Sequence, residues 1–282
     1  MISQTGTHMV VFPRAKINIG LRIVEKRPDG FHNIETFFYP VAVADALEFV
    51  VHRDSRRDDS LKVTGLMEDS DPDNNLVMKA VKLMRRSFDF PGIRIHLHKA
   101  IPVGAGLGGG SSDAAGMLRA LNRYFNFGLN AEELRSIAGR LGSDVPFFID
   151  STPSFAEGTG NILSELPLDL GSYHISILYP GINISTAEAY AACVPMPEGE
   201  SLRQLLSLPV TEWRDSVIND FEPAIAARYP LIESLKSSLY EAGAFFASMS
   251  GSGSAVFGIF RNKPQLPGNV AKYLLNTVED IV

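Results

Sequence analysis

The chain has 282 residues, enough to bury a sizeable core as one large domain or two smaller ones. Hydrophobic residues make up 45% and charged residues 21%, proportions that fit a globular enzyme and exclude a disordered chain. A formal net charge of -6 argues against a nucleic-acid binder, which needs a basic surface. It leaves small anionic substrates open, because clustered backbone N–H groups hold phosphate without net basicity.

Cys193 is the lone cysteine, which rules out an internal disulfide and a thiolate zinc cluster and fits a reducing, cytoplasmic setting. No apolar run reaches the length of a membrane span; the longest, residues 36–51, is broken by Pro40, Asp45 and Glu48. Residues 1–8 are polar and short, without the charged-then-apolar layout of a secretion signal, and read either as a frayed end or as a non-native addition. Oligomeric state has no signature here.

Along the chain, Ile17, Ile19, Leu21 and Ile23 share one face and predict a strand over 16–24. Its other face carries Lys16, Asn18 and Gly20 and reads as a cleft wall. The mixed charge run 52–59 reads as an exposed connection. Leu76, Val77, Ala80, Val81 and Met84 predict a helix over 75–86, and Ile93, Ile95 and Leu97 a strand over 93–98. His96 and His98 share the opposite face of that strand, with no third ligand for a metal. A helix is predicted over 114–124, and another from Asn130, where Glu133 completes a capping box. Ser185 and Glu188 give the same start signal. Residues 151–160, rich in Ser, Thr, Pro and Gly, read as a junction between domains 1–155 and 156–282. Beyond it, strands over 174–179, 244–249 and 255–260 alternate with helices around 219–229 and 231–241. The class is α+β, with no internal repeat.

The most informative segment runs Pro102, Val103, Gly104, Ala105, Gly106, Leu107, Gly108, Gly109, Gly110, Ser111, Ser112, Asp113. It follows a predicted strand and leads into a helix beginning near Ser111. Its glycines free the backbone to approach a ligand, and N–H groups at a helix start cradle phosphate oxygens. Ser111 and Ser112 add hydroxyls suited to phosphate or magnesium, though no side chain is assigned as a metal ligand. Gly104, Gly106 and Gly109 fit G-x-G-x-x-G, but the acidic residue that a dinucleotide fold wants about twenty residues on would fall at Glu132 or Glu133, at a helix start. No lysine follows the glycines as in a Walker A loop.

Residues 102–112 resemble the ATP loop of the kinases named after galactokinase, homoserine kinase, mevalonate kinase and phosphomevalonate kinase (GHMP kinases). Residues 13–21 (Pro-Arg-Ala-Lys-Ile-Asn-Ile-Gly-Leu) and 248–257 (Ser-Met-Ser-Gly-Ser-Gly-Ser-Ala-Val-Phe) stand where that family places its other motifs. The resemblance implies an N-terminal domain like the second domain of ribosomal protein S5 and a ferredoxin-like C-terminal domain that completes the substrate cleft. It also implies ATP and Mg2+ as cofactors.

Lys16 on its own reads as a solvent-facing strand lysine, and Asp144, in Gly-Ser-Asp-Val-Pro, as a turn aspartate. The resemblance makes Asp144 the general base and Lys16 the cation that stabilises it and the developing alkoxide. Arg27-Pro-Asp-Gly reads as a turn, which leaves the following Phe31-His32 unexplained. That pair is similar to the motif of family members whose alcohol substrate is a cytidine diphosphate-linked methylerythritol, from the non-mevalonate isoprenoid route. By this likeness Phe31 and Tyr190 stack on the base, His32 reads its edge, Asn18 contacts the erythritol part, and Lys99 lies near substrate or nucleotide. Mevalonate- or homoserine-like substrates are the alternative and leave Phe31-His32 without a role. Residues 219–223 read as a helix cap. An RNA-binding module, suggested by the ribosomal likeness, is opposed by the acidic balance.

Overall fold

A computed structural model of the chain describes residues 2–5, 8–52, 58–66, 74–193, 195 and 200–275. Residues 53–57 of the charge run lie outside them. The chain forms two compact units, each assembled from three segments: Met1–Ala15, Ala42–Pro102 and Gly108–Thr152 in the first, and Lys16–Val41, Val103–Leu107 and Pro153–Val282 in the second.

The first unit is built on a five-stranded sheet of order β1-β2-β5-β7-β6, with β1 Ile2–Thr5, β2 His8–Val11, β5 Ala46–Val51, β6 Ser60–Gly65 and β7 Ile93–Lys99. All its pairs are antiparallel except β6 with β7. Ile2 to Thr5 pair with Val11 to His8, so these residues are held in the sheet and not frayed. On β7 the alternation is strict: Ile93, Ile95, Leu97 and Lys99 point inward, and Arg94, His96 and His98 outward. Thr64 on β6 bridges the two outward histidines, at 2.8 Å from His96 Nε2 and 3.0 Å from His98 Nδ1. The last residue of the charge run is anchored: Asp59 takes a bidentate bond from Arg85.

Among the described residues, this unit carries the α-helices α1 Leu76–Arg85, α2 Gly109–Phe125, α3 Ala131–Gly139 and the short α4 Phe147–Asp150. Helix α1 starts where Asn75 Oδ1 accepts the Val77 N–H at 2.9 Å, and α3 where Asn130 and Glu133 complete their reciprocal box. Helix α2 lies close on the sheet because Gly116 has no side chain: a Cβ there would stand 2.8 Å from Pro13.

In the second unit, β3 Arg14–Lys26, β4 His32–Ala44, β8 Ser154–Glu157 and β9 Ile162–Ser164 form a sheet in that order. The stretch expected as a junction thus contains β8, paired with β4 through Thr36↔Ala156. A three-stranded antiparallel sheet, β10 His174–Leu178, β12 Val256–Phe260 and β11 Phe246–Met249, carries α7 Glu222–Arg228 and α8 Pro230–Glu241. Helices α5 Thr186–Ala191, α6 Leu202–Leu205 and α9 Gly268–Ala271 complete it. Its core gathers Leu21, Ile23 and Ile34 from the first sheet with Phe221, Leu235, Leu239, Met249 and Phe260.

Candidate active site

Three motifs far apart in sequence meet in the second unit. Lys16 and Asn18, on β3, are both buried. The Lys16 ammonium donates to Asn18 Oδ1 and, at 3.1 Å, to the Gly106 carbonyl. It also stands 5.1 Å over the Phe38 ring. The Asn18 backbone N–H donates to Ser250 Oγ at 3.1 Å, and the Ser250 hydroxyl donates to the Gly106 carbonyl at 2.9 Å. Asn18 Nδ2 donates to Thr36 Oγ1 at 2.9 Å. Residues 103–107 and the 248–254 turn bond to this part of β3.

The loop backbone is fixed from three sides. Leu107 O accepts from Lys16 N (3.0 Å), Ala105 O from Ala255 N (3.1 Å) and Gly104 O from Ile184 N (3.1 Å). Two glycines are obligatory here. Gly104 and Gly106 have φ of 62° and 74°, and a Cβ on them would lie 1.6 Å from Asn183 Oδ1 and 1.8 Å from the Ser250 carbonyl.

Asn219 does more than cap a helix. Its Oδ1 accepts the Phe221 N–H at 3.0 Å, while its Nδ2 donates at 2.8 Å to both the Met249 and Gly251 carbonyls. Glu222 accepts from Met249 N at 2.8 Å and Ser248 Oγ at 3.1 Å. These two side chains hold the 248–254 turn from behind. A cavity of about 330 Å³ shares Asn219, Glu222 and Ser248 with that support. Arg214 and Lys236 line it together with Asp220 and Glu222, and none of the expected catalytic or binding residues does.

The Arg27–Gly30 turn forms as expected: Arg27 O accepts the Gly30 N–H at 3.1 Å and Asp29 Oδ1 accepts the Phe31 N–H at 3.1 Å. The Arg27 guanidinium beside Asp29 holds that carboxyl below the usual range. Beyond the turn, the His32 ring stacks on Tyr190, centroids 4.6 Å apart and 17° from parallel. Tyr190 also meets Phe221 edge-on at 4.9 Å. Phe31 is 60% exposed. Burial, and secondarily the Lys26 charge, pushes the His32 imidazole down, so the ring is neutral at neutral pH.

In the first unit, α2 begins at Gly109, two residues before the predicted start. Its N-cap, Gly108, supplies no side-chain bond, and its first turn holds no acidic residue. Ser112 N closes the first helical bond to Gly108 O, which leaves the N–H groups of Gly109, Gly110 and Ser111 without a partner among the described residues. Such a terminus suits an anion. The Ser112 hydroxyl is buried and donates to Arg14 O at 2.6 Å. Lys99 is 1% exposed, its ammonium held between Asp45 at 2.5 Å and Asp113 at 2.7 Å. It is an internal support of the loop's helix and has no open path to a ligand. Asp144 is half-buried in the turn that leads through Pro146 into α4. Among the described residues no group of three or more His, Cys, Asp or Glu side chains is arranged to hold a metal ion.

Several supporting residues escape sequence reasoning. Lys99 is legible as the fourth inward position after Ile93, Ile95 and Leu97. Asp45 and Thr36 give no local signal, and Ser250 and Asp113, though they stand in the 248–257 motif and at the end of the glycine-rich segment, give no sign of their partners, which are distant in the chain.

Residues 75–151 match the family model for the GHMP kinases N terminal domain, and residues 202–276 that for the GHMP kinases C terminal. The chain is 47% identical over 252 residues to the 4-diphosphocytidyl-2-C-methyl-D-erythritol kinase of Parabacteroides distasonis, covering 89% of this chain and 92% of that one. It is 48% identical over 259 residues to the enzyme of the same name from Bacteroides thetaiotaomicron, covering 92% and 94%. A crystal structure of 4-(cytidine 5'-diphospho)-2C-methyl-D-erythritol kinase aligns with a TM-score of 0.75 at 30% identity, over 89% of this chain and 90% of that one. The mevalonate kinase of Methanococcus jannaschii, at 13% identity and a TM-score of 0.66, shares the fold. With both family halves matched and close relatives spanning nine-tenths of its length, the chain belongs to the GHMP kinase family, among its 4-diphosphocytidyl-2-C-methyl-D-erythritol kinases.

Proposed function

We propose that this kinase transfers the γ-phosphate of ATP to the 2-hydroxyl of 4-diphosphocytidyl-2-C-methyl-D-erythritol, in the methylerythritol phosphate route to isoprenoid precursors. The observation that carries the substrate reading is the His32 ring stacked on Tyr190. Mevalonate and homoserine have no base for such rings to meet, whereas a cytosine offers a face to stack and an edge to bond.

In the reaction, the acceptor oxygen attacks the γ-phosphorus and the bond from that phosphorus to the bridging oxygen breaks. ADP leaves, and the hydroxyl proton passes to Asp144. Lys16 lends positive charge to the alkoxide as it forms, and Asn18 orients the erythritol part. The partnerless N–H groups at the start of α2 face the nucleotide phosphates, with residues 102–112 as the cradle. We read magnesium as part of the nucleotide substrate, held by phosphate oxygens. Phe31, exposed in the free protein, closes on the base opposite Tyr190. Residues 1–155 thus carry the loop and the catalytic pair, and residues 156–282 contribute Tyr190. The acidic charge and lone cysteine support a cytoplasmic enzyme that works without nucleic acid or membrane.

The test is ADP release from ATP and magnesium with the cytidyl substrate, run beside mevalonate, homoserine and galactose. Turnover is expected with the cytidyl substrate alone. Asp144→Asn should lower kcat by about 10²–10⁴, the usual worth of a positioned base. Turnover with mevalonate or homoserine would keep the kinase and discard the base-reading role of His32.

A further inference from the structure

Beneath the start of α2 lies a cluster that no step of the reaction uses. Lys99, Asp45 and Asp113 are all at least 98% buried, so two carboxylates share one ammonium away from water. Their bonding is unequal. Asp45, between β4 and β5, accepts from Lys99 Nζ (2.5 Å), Ala100 N (2.5 Å) and Ile101 N (2.8 Å). Asp113, on α2, accepts from Lys99 alone, and its Oδ1 is buried with no partner. A buried carboxylate with a single donor is a cheap place for a proton, and that description fits Asp113. Burial, followed by the opposing effects of Lys99 and Asp45, leaves the Asp113 carboxyl well above the usual range.

The cluster meets α2 at its first turn. A Cβ added to Gly109 would stand 2.8 Å from Ile101 Cγ2 and 3.2 Å from Lys99 Nζ, so the helix start lies flush on the lysine. Asp113 ties the next turn of the helix to that same lysine, and Ser112 ties it to Arg14 O. The partnerless N–H groups of Gly109, Gly110 and Ser111 sit directly above these tethers.

We propose that Asp113 is a positioning residue for nucleotide binding: through its hydrogen bond to the Asp45-anchored Lys99, it fixes the first turn of α2 so that the free N–H groups there meet the phosphates. The bond to Lys99 does this, not a negative charge on Asp113. The proposal rests on the phosphate role given above to the start of α2. It separates two carboxylates that look alike in sequence, since Asp113 acts through one bond to Lys99 while Asp45 joins that lysine to two backbone N–H groups.

The experiment measures KM for ATP, KM for the cytidyl substrate at saturating ATP, kcat and thermal midpoint in Asp113→Asn, Asp113→Leu, Asp45→Asn and Gly109→Ala. The D113N side chain keeps an acceptor for Lys99, so KM for ATP in that variant should stay within about twofold of wild type. The D113L side chain has none, and its KM for ATP should rise at least tenfold while KM for the cytidyl substrate moves less than twofold. Gly109→Ala, which pushes the helix off Lys99, should reproduce the D113L pattern. Asp45→Asn should raise KM for ATP at least tenfold or lower the midpoint well below that of Asp113→Asn. An unchanged KM for ATP in D113L overturns the proposal, as does a D113N protein as impaired as D113L. If D113L does not fold, Asp113→Ala, which removes the acceptor with less bulk, decides: a raised KM for ATP at a near-wild-type midpoint supports the tether, and an unchanged one removes it. Failure of the wild-type protein to bind ATP would instead sink the phosphate reading of the loop. That outcome is told apart because it appears before any variant is made.

Discussion

His32 shows how a single side chain links pH to recognition. The fold holds its imidazole below the ordinary value of 6.5, first through burial and then through Lys26. As pH falls through 6.5 the unfolded chain takes the proton before the folded one, so the stability tied to neutral His32 is present above that pH and is lost below it. Recognition follows the same direction, because a protonated ring loses its acceptor nitrogen and desolvates less readily against Tyr190. KM for the cytidyl substrate should therefore climb in wild type as pH is lowered from about 7 toward about 5.5, across the range where histidine titrates. His32→Gln, which keeps donor and acceptor without titrating, should flatten that climb relative to wild type. A parallel climb in both proteins would place the titration on the substrate or on another group. Lys99 carries a complementary lesson. Its sequence neighbours put it on an inward face, yet nothing local names the two carboxylates that make an inward lysine tolerable.

At the scale of elements, the 248–254 turn depends on a side chain from outside its own strand pair. Asn219 donates to the Met249 and Gly251 carbonyls, and the turn in turn supplies Ser250 to the Gly106 carbonyl and the Asn18 N–H. Asn219→Ala takes the amide donor from the Gly251 carbonyl and leaves the Met249 carbonyl only the Ser248 hydroxyl at 3.3 Å, a loss of about 1–3 kcal/mol for a buried group left without a partner. The expected outcome is a lowered thermal midpoint with a weakened affinity for ATP, measured by calorimetric scanning and nucleotide titration. A midpoint and affinity like those of wild type would show that the turn stands on its own strands. Strands β3 and β7 and helices α1 and α3 were legible because hydrophobic period and capping chemistry are local. The start of α2 was not, since Gly108, Gly109 and Gly110 carry no side chains to reveal a period. Nor was β8 in residues 151–160, whose four residues become a strand through pairing with Thr36 to Phe38. The catalytic candidates stood out by motif; among their supports, Thr36 and Asp45 did not, and Ser250 and Asp113 stood in motifs that did not reveal what they bond, because each partner lies elsewhere in the chain.

Over the whole molecule, the chain passes between its two units five times, entering the second at Lys16, Val103 and Pro153 and leaving it at Val41 and Leu107. Neither unit is a contiguous piece. Residues 156–282 alone lack β3 and β4, two of the four strands in their sheet, and with them Leu21, Ile23 and Ile34 of the core. Burying each of those side chains stabilises by about 1.5–3 kcal/mol, or about 5–9 kcal/mol together. A domain's whole margin is only about 5–15 kcal/mol. The deficit is of the same size as the margin, and the loss of the β4–β8 pairing adds to it. Residues 156–282 expressed alone should therefore show no cooperative thermal transition by far-UV circular dichroism, while the full chain melts sharply. A fragment that begins at Lys16 and joins Val41 to Pro153 through a short Gly-Ser linker restores β3, β4 and the three core residues, and should regain a transition. A sharp melt from residues 156–282 alone would mean that the C-terminal strands and helices suffice, and that β3 and β4 are guests on a core that does not need them.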